Sequence, residues 1–408
     1  MPESNKPGPP PDEGGSVRRI QSRFKALFKD EPLLVRSPGR VNLIGEHTDY
    51  NEGFVLPAAV DKSIIFAVAP RKGSVGTLHA FDLGQSHEFE VSRPVRSDKS
   101  WPNYLMGVVD QLGKAGAKIG GFACVFGGDI PIGSGMSSSA AIEAGLAFAL
   151  NRIFGLGLDP LALVKLAQKA ENEFVGVRCG IMDMFINIFG RPESVLKLDC
   201  RSLDCQYFPF ERSDLRIVLC DTLVKRELAA SEYNVRRGQC EAGVKLLSKH
   251  APGLRSLRDV PLELLESHRS EFDPVIYKRC DYVVRENSRV EAACSDLEKG
   301  DFIAFGRRMN GSHAGLRDDY QVSCRELDAL VDAAGEVPGV LGARMMGAGF
   351  GGCSINLVEE TAVGALKERA VRSYKDLFGR EPKIYISSLR SGTDIIKIEW
   401  EEESCSQR

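Results

Sequence analysis

Pro131-Ile-Gly-Ser-Gly-Met-Ser-Ser-Ser-Ala-Ala141 is the most informative run in the chain. Gly133 and Gly135 permit positive φ, so that backbone N–H groups converge. Ser134, Ser137, Ser138 and Ser139 add hydroxyls around Met136, where an alanine-rich helix begins. The helix start brings unpaired N–H groups and the positive end of its dipole, which favour an anion by roughly 0.3–1 kcal/mol when exposed. Upstream, Phe122-Ala-Cys-Val-Phe126 reads as a buried strand. Downstream, Ile142 to Phe154 reads as a helix that is apolar on nearly every side through Ile142, Leu146, Phe148 and Leu150, ending near Gly155. Strand, glycine–serine loop and helix together suit a phosphate group, although plain helix capping would use a loop of the same composition.

The chain around this run has 408 residues, enough for two domains with their own cores. A net charge of −3 with scattered Lys and Arg gives no reason to expect nucleic acid as a partner, and no apolar stretch reaches the ~20 residues of a membrane helix. The start, Met-Pro-Glu-Ser-Asn-Lys-Pro-Gly-Pro-Pro-Pro, carries no secretion-signal pattern and reads as a disordered tail. Eleven cysteines are dispersed and often flanked by apolar residues (Cys124, Cys179, Cys200, Cys205, Cys220), without a Cys-x-x-Cys pair. They are expected to be reduced, in a cytoplasmic protein. The six histidines lack metal-ligand spacing.

Strand-like segments such as Ser63 to Ala69 alternate with helical ones such as Leu161 to Phe174 and Glu232 to Leu247, which predicts an α/β (α+β) fold. Asp159-Pro160 supplies an N-cap and a helix-compatible proline before Leu161. The stretch from Asp199 to Asp214 turns polar before Leu215-Arg-Ile-Val-Leu-Cys220 opens a new strand. The expected division is therefore a tail at 1–16, an amino-terminal domain at 17–205, a carboxyl-terminal domain at 206–400 and a tail at 401–408.

Three further segments carry chemistry. Arg40-Val-Asn-Leu-Ile-Gly-Glu-His-Thr-Asp-Tyr-Asn51 holds Arg40, Asn42, Glu46, His47, Asp49 and Asn51 within twelve positions. Carboxylates and amides in that density suit the hydroxyls of a sugar ring, and Arg40 suits a carboxylate or phosphate; a solvated turn with local ion pairs would look similar. Gly176-Val-Arg-Cys-Gly180-Ile-Met-Asp183-Met-Phe follows a helix bearing Glu171 and sets Asp183 among apolar neighbours. Asp183 is a candidate catalytic acid or base, or else a structural partner for a cation such as Arg40. Gly347-Ala-Gly349-Phe-Gly351-Gly352 has dinucleotide-fingerprint spacing, yet a strand, Cys353 to Val358, follows it where that motif needs a helix. A tight turn close to other backbone or to a ligand fits better.

In this order and across most of the chain, these motifs resemble the GHMP small-molecule kinases, and within them the galactokinases. Arg40 to Asn51 is similar to the galactokinase signature, Pro131 to Ala141 to the shared ATP motif, and Gly347 to Gly352 to the third motif. Ser231-Glu-Tyr-Asn-Val-Arg-Arg237 also resembles a galactokinase stretch. The resemblance implies a two-lobed fold, with a mixed sheet and phosphate loop in the first lobe, a partly ferredoxin-like second lobe and the active site between them. It implies MgATP-dependent phosphorylation of the anomeric hydroxyl of α-D-galactose. Sugar contacts would fall on Arg40, Glu46, His47, Asp49, Gly180, Asp183 and Tyr233, and nucleotide phosphates on Gly133 to Ser139. Magnesium (Mg2+) would be held by Ser138 and Glu171, and Trp101 and Tyr104 would lie near the adenine, although core packing accounts equally well for those two aromatics. Arg40 and Asp183 would be catalytic. Met184 and Met346 depart from the family pattern, which has glutamine and threonine at those places.

The alternatives are a kinase for another sugar, such as N-acetylgalactosamine or arabinose, and a regulator that binds galactose and ATP without turnover. No Gly-Lys-Ser/Thr loop and no Asp-Phe-Gly triplet points to other nucleotide folds. Galactose and ATP are the expected partners, with no membrane, and with a monomer or a homodimer as the assembly.

Overall fold

A computed structural model describes residues 13–210, 212–224 and 229–397. The strands are β1 (Leu33–Asn42), β2 (Phe54–Val55), β3 (Pro57–Pro70), β4 (Val75–Ala80), β5 (Gln85–Glu90), β6 (Phe122–Gly128), β7 (Ser194–Asp199), β8 (Cys205–Pro209), β9 (Leu215–Asp221), β10 (Val340–Met345), β11 (Cys353–Glu359), β12 (Lys383–Ser387) and β13 (Asp394–Ile395). The α-helices are α1 (Glu13–Phe28), α2 (Ser100–Lys114), α3 (Ser138–Ile153), α4 (Pro160–Lys169), α5 (Met182–Phe189), α6 (Ala229–Leu247), α7 (Leu262–Ser267), α8 (Pro274–Glu298), α9 (Phe302–Asp318), α10 (Arg325–Gly335) and α11 (Val363–Phe378).

Three sheets organise the chain. The first has the order β13-β1-β3-β6-β4-β5, mixed because β4 and β6 run parallel while the other pairs are antiparallel. The second has the order β10-β11-β9-β12, and the third, β2-β7-β8, is a small antiparallel sheet. Counted along the chain, the second sheet is ordered 4-1-3-2 from β12, with α11 between its last two strands, which is the split βαβ arrangement of ferredoxin-like domains. Tyr374, Leu366 and Ala370 of α11 pack with Leu330 and Ala334 of α10 on Val218 and Val358 of that sheet. Its opposite face, through Ile217, Leu219 and Ile355, joins the main core with Phe305 and Met309 of α9.

The alanine-rich helix predicted after the glycine–serine loop is α3. It is buried along nearly its whole length because it lies under β1 and β3. Asp159 caps α4, its carboxylate accepting the Ala162 N–H at 2.8 Å. The helical reading of Leu161 to Phe174 needs one change: beyond Lys169 the coil widens into a π turn, Ala170–Val175, which carries Glu171.

The expected domain limits fall against particular elements. Cys205 is the first residue of β8, which pairs with β7, so a boundary at 205 would cut a strand; the chain passes to the second sheet between β8 and β9. The far end returns, since Ile395 and Asp394 of β13 pair with Val35 and Arg36 of β1. Helix α1 begins at Glu13, four residues before the expected onset at Val17, and the two expected tails fall largely outside the described residues. No disulfide joins the ten cysteines among the described residues. Although their spacing gave no sign of it, His250 and His268 meet Glu271 with ligand atoms within 4.8 Å of one another.

Helix α9 approaches β10 backbone to backbone, where Gly306 faces Leu341 and Gly342. A Cβ on Gly306 would lie 2.0 Å from the Leu341 carbonyl oxygen. Gly306→Ala therefore sets an overpacking cost of about 1–3 kcal/mol against about 1 kcal/mol of recovered helix propensity. A lower urea midpoint than wild type is expected; an unchanged or raised midpoint would show that the two backbones can separate.

Candidate active site

The phosphate loop leaves β6 and turns through Gly133 (φ 81°), Gly135 (φ 89°) and Ser137 (φ 56°) into α3. Ser137 stands at the N-cap but makes no side-chain cap bond; its hydroxyl donates instead to Oδ2 of Asp183. The first N–H groups of α3 thus face the crevice without a side-chain cap, a geometry that receives an anion. Ser134 behaves differently from its neighbours. It is fully buried, its hydroxyl donates to the Pro131 carbonyl at 2.8 Å, and it does not line the cavity.

Arg40 reaches the same loop from the end of β1. The β1/β3 register shifts between Pro38 and Arg40, an irregularity of the kind that redirects side chains beside functional sites. Its guanidinium forms a two-pronged bond with Asp183, Nε to Oδ1 at 2.8 Å and NH2 to Oδ2 at 3.0 Å, and its NH1 donates to the Gly135 carbonyl. Arg40 is 4% exposed and its pKa is raised: burial works against its charge, but Asp183, Glu46 and Asp49 outweigh it. Residues 143 positions apart in sequence are therefore joined at the mouth of the phosphate loop.

The polar segment after β1 lies between the lobes. Glu46 accepts from Arg344 of β10 at 2.7 Å and from the Gly347 N–H at 2.7 Å. His47 takes positive φ (63°), and its Nδ1 shares a 2.8 Å hydrogen bond with the Tyr50 hydroxyl. Burial and then Arg236 push its pKa down to about 3, so the ring is neutral at physiological pH. Tyr233 of α6 packs its ring 5.4 Å from that of His47 and 5.0 Å from that of Tyr50. Gly180 lies against Asp49, where a Cβ would sit 1.9 Å from Oδ2, so any side chain there displaces the Asp49 carboxyl.

Together these groups line a cavity of about 310 Å³, at the lower end of ligand clefts. It gathers Arg40, Glu46, His47, Asp49, Gly180, Asp183 and Tyr233 with Gly133, Gly135, Met136, Ser137, Ser138, Ser139, Glu171 and Tyr104. Trp101 is not among them. It packs on Phe126 with ring centroids 5.8 Å apart, and its indole N–H donates to Gln85 at 2.9 Å. Met184 lines the cavity, whereas Met346 is buried in the main core. Glu171 is buried at 7% exposure; burial and then Asp183 push its pKa up to about 7.

Sequence reasoning missed Arg344 and Glu143. Both had a visible sign: an arginine inside the apolar strand Val340-Leu-Gly-Ala-Arg-Met345, and a lone acid inside the alanine-rich helix. Charges in such places need partners.

A helix start without a side-chain cap, an arginine–carboxylate fork and a cluster of polar side chains between two lobes are the parts a small-molecule kinase needs. Family models agree: GHMP kinases N terminal domain matches residues 103–191 and GHMP kinases C terminal matches 293–376, with the galactokinase galactose-binding signature on 22–70. The sequence is 44% identical over 377 residues to a galactokinase of Roseiflexus sp. (strain RS-1), covering 91% of this chain and 95% of that one. It is 40% identical to a galactokinase of Clostridium beijerinckii, covering 93% and 98%. The crystal structure of Lactococcus lactis galactokinase complexed with galactose superposes with a TM-score of 0.89 at 35% identity, over 93% of this chain and all of that one. Methanococcus jannaschii mevalonate kinase, at 17% identity and a TM-score of 0.61, shares the fold. The chain belongs to the galactokinase family of the GHMP kinases and is an ATP-using sugar kinase. No described helix is long and apolar enough to cross a membrane.

Asp49 offers a test of the electrostatics. Burial and then the neighbouring Asp183 push its pKa up to about 7. In the unfolded chain it titrates near ~3.9, so between about pH 4 and about pH 7 the folded state holds a proton that the unfolded state has released. Its contribution to stability falls as pH rises through that window. Asp49→Asn removes the dependence, and its stability relative to wild type should grow from about pH 4.5 to about pH 7.5 in urea unfolding; a constant difference would mean that Asp49 titrates normally.

Proposed function

We propose that the crevice transfers the terminal phosphoryl group of ATP to the anomeric hydroxyl of α-D-galactose, giving galactose 1-phosphate and ADP. The observation that carries this reading is the Arg40–Asp183 fork set against the uncapped start of α3. Glu46, His47, Asp49, Gly180 and Tyr233 would surround the sugar. Their chemistry fits: a neutral imidazole, carboxyl groups, a glycine backbone in the cavity wall and a phenol match a ring that presents hydroxyls in several directions.

In this reading Asp183 orients the attacking hydroxyl and accepts its proton. The guanidinium and the serine hydroxyl fix its carboxylate, and proton transfer trails the breaking of the bond to ADP. A loose phosphoryl transition state tolerates this order, because positioning and charge stabilisation supply most of the catalysis. Arg40 would serve both: its fork fixes Asp183, and its charge would offset that of the transferred group. The amides of Gly133 to Ser139 would hold the phosphates.

The residues present fit a magnesium ion. Glu171 is a buried carboxyl with no ion-pair partner among the described residues, and it shares the crevice with the hydroxyl-bearing Ser138. Oxygen donors of this kind suit a hard cation. Ser138 and Glu171 would hold the ion, which when bound offsets phosphate charge.

Phosphorus NMR of the purified protein with MgATP and galactose should show a sugar 1-phosphate and ADP; phosphorylation at another hydroxyl, or none, contradicts the reading. Asp183→Asn should lower kcat by about 10²-fold or more while ATP affinity is largely kept. Arg40→Lys should cost on the order of 10²-fold in kcat, since an ammonium cannot reproduce the planar fork. Near-normal turnover in either variant would remove that residue from its role.

A further inference from the structure

We propose that His250, His268 and Glu271 form a surface site for one zinc-class divalent cation, apart from the crevice. None of the three lines the active-site cavity.

Three separate segments bring them together. His250 follows the end of α6, His268 stands directly after α7, and Glu271 closes the single 3-10 turn Arg269–Glu271. The Glu271 N–H donates to the His268 carbonyl at 2.9 Å, and side chains three apart on a turn of this kind eclipse one another, so these two share one side. His250 reaches them from α6: its Nε2 is 2.8 Å from Oε2 of Glu271, and its ring centroid is 3.8 Å from that of His268. One possible ligand atom from each residue lies within 4.8 Å of the other two. The frame beneath is built without a metal. Leu247, Leu265 and Phe272, which neighbour the three residues along the chain, are buried in one hydrophobic cluster and fix all three segments.

Two imidazoles and one carboxylate are a ligand set of zinc sites that leave a fourth position to water, whereas magnesium and calcium favour oxygen alone. The tautomer of His268 suits this role. Its Nδ1 lies 3.0 Å from the Leu264 carbonyl, which can only accept, so Nδ1 carries the hydrogen and Nε2 keeps the lone pair. A carbonyl bonded to the far nitrogen is the arrangement that orients ligating histidines. At His250, Nε2 donates to the Glu271 carboxylate; a cation between them takes the place of that hydrogen, which moves to Nδ1. The His250 and Glu271 side chains are 31% and 45% exposed, which leaves a path for entry. Arg269 on the same turn is engaged elsewhere, its guanidinium 4.9 Å from the centre of the Tyr277 ring. A bound cation would tie the end of α6 to the turn after α7 and so stabilise the second lobe, without entering the chemistry of the crevice.

The test titrates Zn2+ against a chromophoric chelator, with the full chain kept reduced by a phosphine. Wild type should bind one Zn2+ that His250→Gln and His268→Gln each bind more than tenfold more weakly. Zn2+ should raise the melting temperature of wild type and leave that of His268→Gln unmoved, while zinc-free turnover with galactose and MgATP stays equal in the two. The inference fails if both variants keep the wild-type zinc stoichiometry and affinity, or if His268→Gln keeps the thermal shift. Should the variants not fold, anomalous scattering from wild-type crystals soaked in zinc chloride decides. A zinc peak bonded to His250, His268 and Glu271 supports the site; peaks only at the crevice or at cysteines, or none, overturn it.

Discussion

The ion pair between Glu46 and Arg344 is the constraint on which the two-lobed arrangement depends. Arg344 is completely buried and Glu46 nearly so, and removing either partner would strand a charge where water cannot reach it. The pair is embedded in main-chain bonds: Arg344 also donates to the carbonyls of Leu43 and Asn42, while Glu46 accepts from Gly347. Tyr282 of α8 donates to the Glu46 carbonyl at 3.0 Å, and Glu286 of the same helix accepts from the Gly45 N–H at 3.0 Å. The segment that follows β1 is therefore fixed by β10, by the glycine turn and by α8 at once. This fixation lets His47 hold a left-handed backbone conformation and present its ring to the crevice.

That rigidity has an electrostatic counterpart. The crevice collects Glu46, Asp49, Glu171 and Asp183 with one arginine, Arg40, in its lining. Two of the acids are compensated by guanidinium groups, Glu46 by Arg344 and Asp183 by Arg40. The other two, Asp49 and Glu171, are pushed upward by burial and by Asp183. Charge is thus not spread evenly over the cleft. It is pinned by arginine at Glu46 and Asp183, and held back by burial at Asp49 and Glu171.

Much of this was legible in the residues themselves, and what escaped did so for identifiable reasons. The strand–loop–helix unit around Gly133 was readable because a Gly/Ser cluster between apolar runs leaves few other conformations. The Arg40–Asp183 fork was readable as chemistry, each being a lone charge needing a partner, but only the fold could close the gap between them. Glu46 looked like a free acceptor for hydroxyls. Its commitment to Arg344 depends on β10 entering the second sheet beside β11, which local pattern does not specify. Ser134 matched its serine neighbours in composition, yet the turn directs its hydroxyl inward. Cys205 sat in a polar stretch that read as a junction, whereas pairing with β7 makes it a strand, an outcome set by a long-range partner. The return of β13 to β1 was unreadable for the same reason, since two residues carry no periodicity.

One short contact bears on how the two lobes can move. The Cys353 N–H of β11 donates to the Ser134 carbonyl at 2.9 Å, so the second lobe is bonded directly to the backbone of the phosphate loop. A rigid rotation of one lobe against the other must either pass its axis near this bond or break it. With Arg344 and Gly347 bonded to the segment after β1 as well, the strand that follows the glycine turn is tethered to both substrate-facing segments of the first lobe, so the backbone of β11 and the anion cradle keep one common register.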